Sequence, residues 1–185
     1  MTFYTHYFVE NSQGEYKYSS TQVDMPENVA QLVLDFGKSI PDSDIYTDEE
    51  DPSYGREDNI HTTILYGIHG EKPDEVDELV KGVKPFNIVL GDISFFDADK
   101  YRVMKIEVEG EGLRELYKKF KENTKNTQSF DEYSPHCTIA YVKKDYDDSE
   151  LDKEKFKNIE VNVNDIIFSS HNKEDIGRIE IPLEG

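Results

Sequence analysis

The chain has 185 residues, a mass of 21.5 kDa and a formal charge of −19 from 40 acidic and 21 basic residues. That length fits one domain or two small lobes sharing a core, and that charge excludes a general binder of long polyanions, which needs a basic footprint. Leu, Ile, Val and Phe total 47 residues, beside 12 Tyr, so the chain carries enough apolar surface to fold around a core.

Residues 3–9 and 16–23 are rich in Tyr, Phe, Val and Thr and flank Asn11-Ser12-Gln13-Gly14, which predicts an opening hairpin. Pro26 stands at a helix-start position, and Val29, Ala30, Val33, Leu34 and Phe36 recur at helical spacing up to Gly37, so a helix is expected over 26–37. Residues 41–58 then carry eight acids, one Arg and two Pro without any period. This reads as a long acidic loop or lid, with Tyr54 and Arg56 as its expected contributions to a site, Tyr54 by stacking on a base.

A strand follows over 60–68, a short acidic helix over 73–82, and strands over 86–95 and 101–108 joined by a turn at Asp97-Ala98-Asp99-Lys100. Leu113, Leu116, Tyr117 and Phe120 mark a helix over 111–123. Pro135 opens a strand over 136–142, residues 151–156 read as a short helix, and strands over 159–168 and 177–183 close the chain. Adjacent strands on short links favour antiparallel α+β over a doubly wound parallel sheet.

Two of the predicted strands repeat each other. His61-Thr62-Thr63-Ile64-Leu65-Tyr66 and His136-Cys137-Thr138-Ile139-Ala140-Tyr141 agree at His, Thr, Ile and Tyr with an offset of 75 residues, as two related lobes would. In a strand, residues i and i+2 share a face, so His61 lies beside Thr63 and His136 beside Thr138. Thr62, Ile64 and Tyr66, with Cys137, Ile139 and Tyr141, are expected on the opposite, packed face. Two imidazoles around one point supply a proton acceptor and a proton donor near neutral pH, and two hydroxyls supply donors to phosphate oxygens. That inventory suits phosphodiester chemistry and needs no metal or cofactor.

At these residues the chain resembles the 2H phosphoesterases, the 2′,5′ RNA ligase and cyclic phosphodiesterase-like superfamily, whose members carry two His-x-Thr/Ser motifs on two lobes. The resemblance implies an α+β, bilobed, duplicated fold over residues 1–185, with two antiparallel sheets facing a central cleft and helices outside. It implies His61 and His136 as catalytic and Thr63 and Thr138 as phosphate-binding. The implied activity is metal-independent hydrolysis of small cyclic oligonucleotides, 2′,3′-cyclic phosphates or 2′-5′ phosphodiesters. One branch consists of phage enzymes that degrade the cyclic nucleotide signals of bacterial immunity, the anti-CBASS phosphodiesterases.

Other readings have less behind them. Gly37-Lys38-Ser39 lacks the first glycine of a phosphate-binding loop, since Leu32 stands there, and the acidic stretches from Asp42 and Asp145 lack the glycine and terminal Glu of an EF-hand. Cys137 points away from His136 by strand alternation and is expected to be buried and inert. A module that binds a nucleotide without cleaving it has no need of two acid–base histidines, an enzyme that processes RNA ends has the same motifs, and an acidic mimic of DNA predicts no histidine pair at all. The single cysteine leaves no disulfide, the first residues lack a signal peptide, and no apolar run reaches the roughly 20 residues of a membrane span. The expected protein is cytoplasmic, in the host cytoplasm if of viral origin. Its expected partner is a small nucleotide or cyclic oligonucleotide, with no duplex nucleic acid and no membrane.

Overall fold

The computed structural model describes residues 18–128, 132–172 and 176–184. The first strand and turn of the expected opening hairpin lie outside these residues; its second strand is β1 (Ser19–Asp24). The chain continues through α1 (Glu27–Ser39), β2 (His61–Ile68), α2 (Asp74–Val80), β3 (Phe86–Asp97), β4 (Tyr101–Glu109), α3 (Glu111–Asn123), β5 (His136–Lys143), β6 (Glu160–Val163), β7 (Asp165–Ser169) and β8 (Arg178–Pro182). No helix among the described residues is long and apolar enough to cross a membrane.

The eight strands of the described residues all join one antiparallel sheet in the order β6-β3-β4-β5-β2-β1-β7-β8, where two sheets were expected. The two halves of that sheet nevertheless keep a lobe-like independence. They meet between β2 and β5 through a single register pair, Thr62 with Cys137, whose buried side chains touch at 3.1 Å between Oγ1 and Sγ. Beyond that seam the strands diverge, and other segments take up their backbone groups. Ile45, Tyr46, Gly55, Arg56 and Glu57 pair with the far half of β5, while Lys125, Asn126 and Thr127 pair with the far half of β2.

The sheet must also curl. Only Asn164 separates β6, at one edge, from β7, six positions across. In a flat sheet six spacings span roughly 29 Å, whereas two peptide links reach about 7 Å.

α1 buries Val29, Val33 and Gly37 and rests on β5, where a Cβ on Gly37 would stand 3.6 Å from Ile139 Cγ2. Gly37 therefore does not end the helix, as its place in the sequence predicts; it lies on the buried face of the helix, which runs two residues further. α3 occupies the expected 111–123 and turns Leu113, Leu116, Tyr117 and Phe120 inward. The short helix expected over 151–156 is instead a series of turns closed by Leu151 N–H to Asp148 O and Lys155 N–H to Asp152 O. Six residues are too few to nucleate a helix without tertiary support, and here the anchor is Phe156, whose ring meets that of Phe36 at 5.5 Å. The strand expected over 159–168 is broken at Asn164 because its two parts serve opposite halves of the sheet, β6 beside β3 and β7 between β1 and β8.

Candidate active site

The Thr62–Cys137 seam sets the geometry of the two motifs. In an antiparallel ladder, continuing that register places His61 across from Thr138 and Thr63 across from His136. All four side chains are half-buried on one face, while Thr62 and Cys137 are sealed on the other. Burial pushes the Cys137 thiol up to about 12, so it stays protonated and inert, as expected from its face.

Each histidine is oriented in the same way. His61 Nδ1 lies 2.8 Å from the carbonyl of Asn59, and His136 Nδ1 lies 2.7 Å from the carbonyl of Ser134. A carbonyl only accepts, so each Nδ1 carries the proton and donates, which makes Nε2 the ring atom able to accept a proton. Burial lowers the pKa of His61 below its ordinary 6.5 against weaker opposing effects of the Asn59 carbonyl and Asp24, which keeps the ring neutral at pH 7.

Both motif strands carry a bulge at the same repeat position. The register of β2 with β1 skips Ile64, and that of β5 with β4 skips Ile139. The extra residue buries Ile64 with Leu65, and Ile139 with Ala140, and reverses the alternation beyond. Tyr66 is thereby moved off the packed face expected from strict alternation and lines a cleft of about 420 Å³ together with His61, Thr63, Tyr18, Gln22 and Arg178. Tyr133 donates a hydrogen bond from its hydroxyl to the Thr63 carbonyl at 2.9 Å, tying the approach to β5 onto β2.

Charged groups on the neighbouring strands complete the site. Lys105, across from Thr138, is 2% exposed; it donates to Ser94 Oγ at 2.7 Å and to Glu107, and its Nζ sits 4.2 Å from the centre of the Phe96 ring. The Phe96 ring in turn meets His136 edge-on at 5.0 Å. Burial would push the Glu107 carboxyl up, but hydrogen bonds from Lys105 and Ser94, with the charges of Lys105 and His136, hold it below the usual range. On the other half, Arg178 binds Asp24 at 2.5 Å, and Asp24 stands across from His61. Sequence reasoning missed both cations, because nothing local to Lys105 or Arg178 tells which strand it will face.

The acidic segment 41–58 separates its two expected site residues from the 420 Å³ cleft, which neither lines. Arg56 caps α1: its guanidinium donates to the carbonyls of Gly37 at 2.9 Å and Ile40 at 2.5 Å and pairs with Asp42. Arg56→Ala is expected to lower stability by about 2 kcal/mol, read by thermal unfolding, because it strips charge-assisted bonds from a helix end. Tyr54 packs its ring at 5.0–5.1 Å from those of Tyr46, Tyr101 and Tyr141, and burial with Tyr101 beside it raises its phenol to about 12. Glu57 does line the cleft, where burial and the adjacent Asp58 raise its carboxyl to about 7. Among the described residues no cluster of His, Cys, Asp and Glu is arranged to hold a metal ion.

The family model of the 2′-5′ RNA ligase superfamily matches residues 43–175, a stretch that holds both His-x-Thr motifs. No curated protein matches the chain. Among solved structures the fold is similar to that of Escherichia coli LigT complexed with NADP+, at 16% identity and a TM-score of 0.58 over 91% of this chain and 95% of that one. It is also similar to TT0787 of Thermus thermophilus, at 18% identity and 0.56 over 90% and 95%. Usb1 of Kluyveromyces marxianus shares the fold at 9% identity and 0.53 over 90% and 98%.

Proposed function

The chain belongs to the 2′-5′ RNA ligase superfamily and is a 2H-type phosphodiesterase, and from that premise we propose that His61 and His136 are its acid–base pair, with Thr63 and Thr138 as donors to the phosphate. The observation that carries this reading is the matched pair of imidazoles, each with Nδ1 on a carbonyl two residues earlier, set about the single Thr62–Cys137 bridge. One Nε2 takes a proton from water or a ribose hydroxyl while the other delivers one to the leaving oxygen. The threonine hydroxyls bind the phosphate oxygens as charge builds on them. No metal or cofactor takes part, so activity survives EDTA.

For substrate the reading is a small phosphodiester: a cyclic di- or trinucleotide, a 2′,3′-cyclic phosphate or a 2′-5′ link. Two observations support it. A surface of charge −19 repels a long strand at every phosphate, while Arg178 puts a cation on the lining of the cleft. Related structures also hold small nucleotides, 3′-AMP in LigT and uridine monophosphate in Usb1. Degradation of cyclic nucleotide immune signals, the anti-CBASS role, is the finer form of this reading. Chromatography of cyclic oligonucleotides and 2′,3′-cyclic nucleotides after incubation with metal-free protein tests it. Cleavage of a cyclic di- or trinucleotide favours the signal-degrading role, cleavage of 2′,3′-cyclic ends alone favours RNA-end processing, and binding without turnover favours a sequestering module. Thr63→Val and Thr138→Val are each expected to lower kcat/KM about tenfold to a hundredfold in the same assay, with the fold retained.

A further inference from the structure

We propose that Asp24 and Glu107 are positioning residues assigned one to each histidine: Asp24 raises the proton affinity of His61 and Glu107 that of His136, so that each limb of the pH–rate profile answers to a different one of these two carboxylates. This rests on the reading of His61 and His136 as the acid–base pair.

Strand register builds the two halves alike. Across β1 and β2, Gln22 stands opposite Thr63 and Asp24 opposite His61. Across β4 and β5, Lys105 stands opposite Thr138 and Glu107 opposite His136. Each half therefore places a hydrogen-bond donor across from its threonine and a carboxylate across from its histidine. In each half the donor binds the carboxylate: Gln22 Nε2 donates to Asp24 Oδ1 at 2.8 Å, and Lys105 Nζ donates to Glu107 Oε1. A second donor fixes each carboxylate further, Arg178 on Asp24 and Ser94 on Glu107. The residue identities differ, Gln22-Val23-Asp24 against Lys105-Ile106-Glu107, so the arrangement is visible only through the strand pairing.

Directly paired residues on one sheet face have Cβ atoms about 5 Å apart, a distance at which a carboxylate favours the imidazolium. Among the described residues the two rings have different charged neighbours. His61 faces Asp24 from β1, Arg178 from β8 and Asp58 from the segment before β2. His136 faces Glu107, and through it Lys105, from β4, with the Phe96 ring from β3. With Nδ1 of each ring on its carbonyl, the carboxylate acts on the charge of the ring.

The test uses Asp24→Asn and Glu107→Gln in the full chain. The pKa of each imidazole is read by NMR titration, and the pH–rate profile is read on 2′,3′-cyclic nucleotides. Asp24→Asn should lower the pKa of His61 by about 1 pH unit and leave His136 unmoved, and Glu107→Gln should do the converse. Each should move one limb of the profile to lower pH, and not the same limb. The histidine tied to the acidic limb is then the base and the other the acid. Asp24→Glu should restore the wild-type profile. The Asp24 side chain is 34% exposed, so its amide variant keeps the fold even if Glu107→Gln does not. The proposal is overturned if either substitution shifts both histidines or if Asp24→Asn shifts neither. Shifted imidazoles with unmoved limbs, or a protein that turns over no phosphodiester, would instead remove the acid–base reading itself.

Discussion

His61→Asn and His136→Asn are each expected to lower kcat by about 10²–10⁴-fold, or roughly 3–5 kcal/mol of transition-state stabilisation, while the melting temperature stays near that of the wild type. The size follows from what an imidazole does that an amide does not, which is to exchange a proton near neutral pH. Asparagine keeps a polar side chain of similar reach, so the bond to the carbonyl of Asn59 or Ser134 survives in form and the motif strands keep their register. The double variant should fall well short of the product of the two losses. Once one proton transfer is gone, the other has less to assist, and the residual rate comes from phosphate binding at Thr63 and Thr138. Steady-state kinetics on metal-free protein, with circular dichroism as the fold control, decides the matter. A folded double variant that cleaves at the wild-type rate would remove both histidines from the mechanism.

Much of this site is legible in the sequence because it is local. A histidine and a threonine two residues apart share a strand face whatever surrounds them, and the 75-residue offset announces that two such strands are related. The amphipathic period of α3 likewise needs nothing beyond its own residues. What the sequence hides depends on partners. Nothing in Ile64 or Ile139 marks a bulge, yet the one at Ile64 decides that Tyr66 lines the cleft. Arg56 sits in an acidic loop and reads as a cation reaching for substrate until the carbonyls at the end of α1 are seen around it. The single sheet follows from where β6 and β7 pair, and the buried cation at Lys105 from the closing of β3 and β5 over β4.

Glu107→Ala is expected to destabilise the protein by about 3 kcal/mol and Lys105→Met by only about 1 kcal/mol, although the two residues form one ion pair. The asymmetry comes from burial: the Lys105 side chain is 2% exposed and that of Glu107 41%. Removing the lysine leaves a carboxylate that still meets water and Ser94, and methionine fills much of the vacated volume. Removing the carboxylate strands an ammonium with only Ser94 and the Phe96 ring beside it. Burial already draws Lys105 below its ordinary 10.5, opposed by Glu107, and in Glu107→Ala that opposition is gone. The unfolded chain then holds its proton up to about 10.5 while the folded chain releases it earlier, so the variant gains stability as pH rises through that window, and the full loss is seen below it. Thermal unfolding at about pH 7 and about pH 10 reads both effects, with a deficit of roughly 6–12 °C for Glu107→Ala at the lower pH that narrows at the higher. Equal melting temperatures for the two variants at both pH values would place the cost in lost packing around the Lys105 stem and not in a stranded charge.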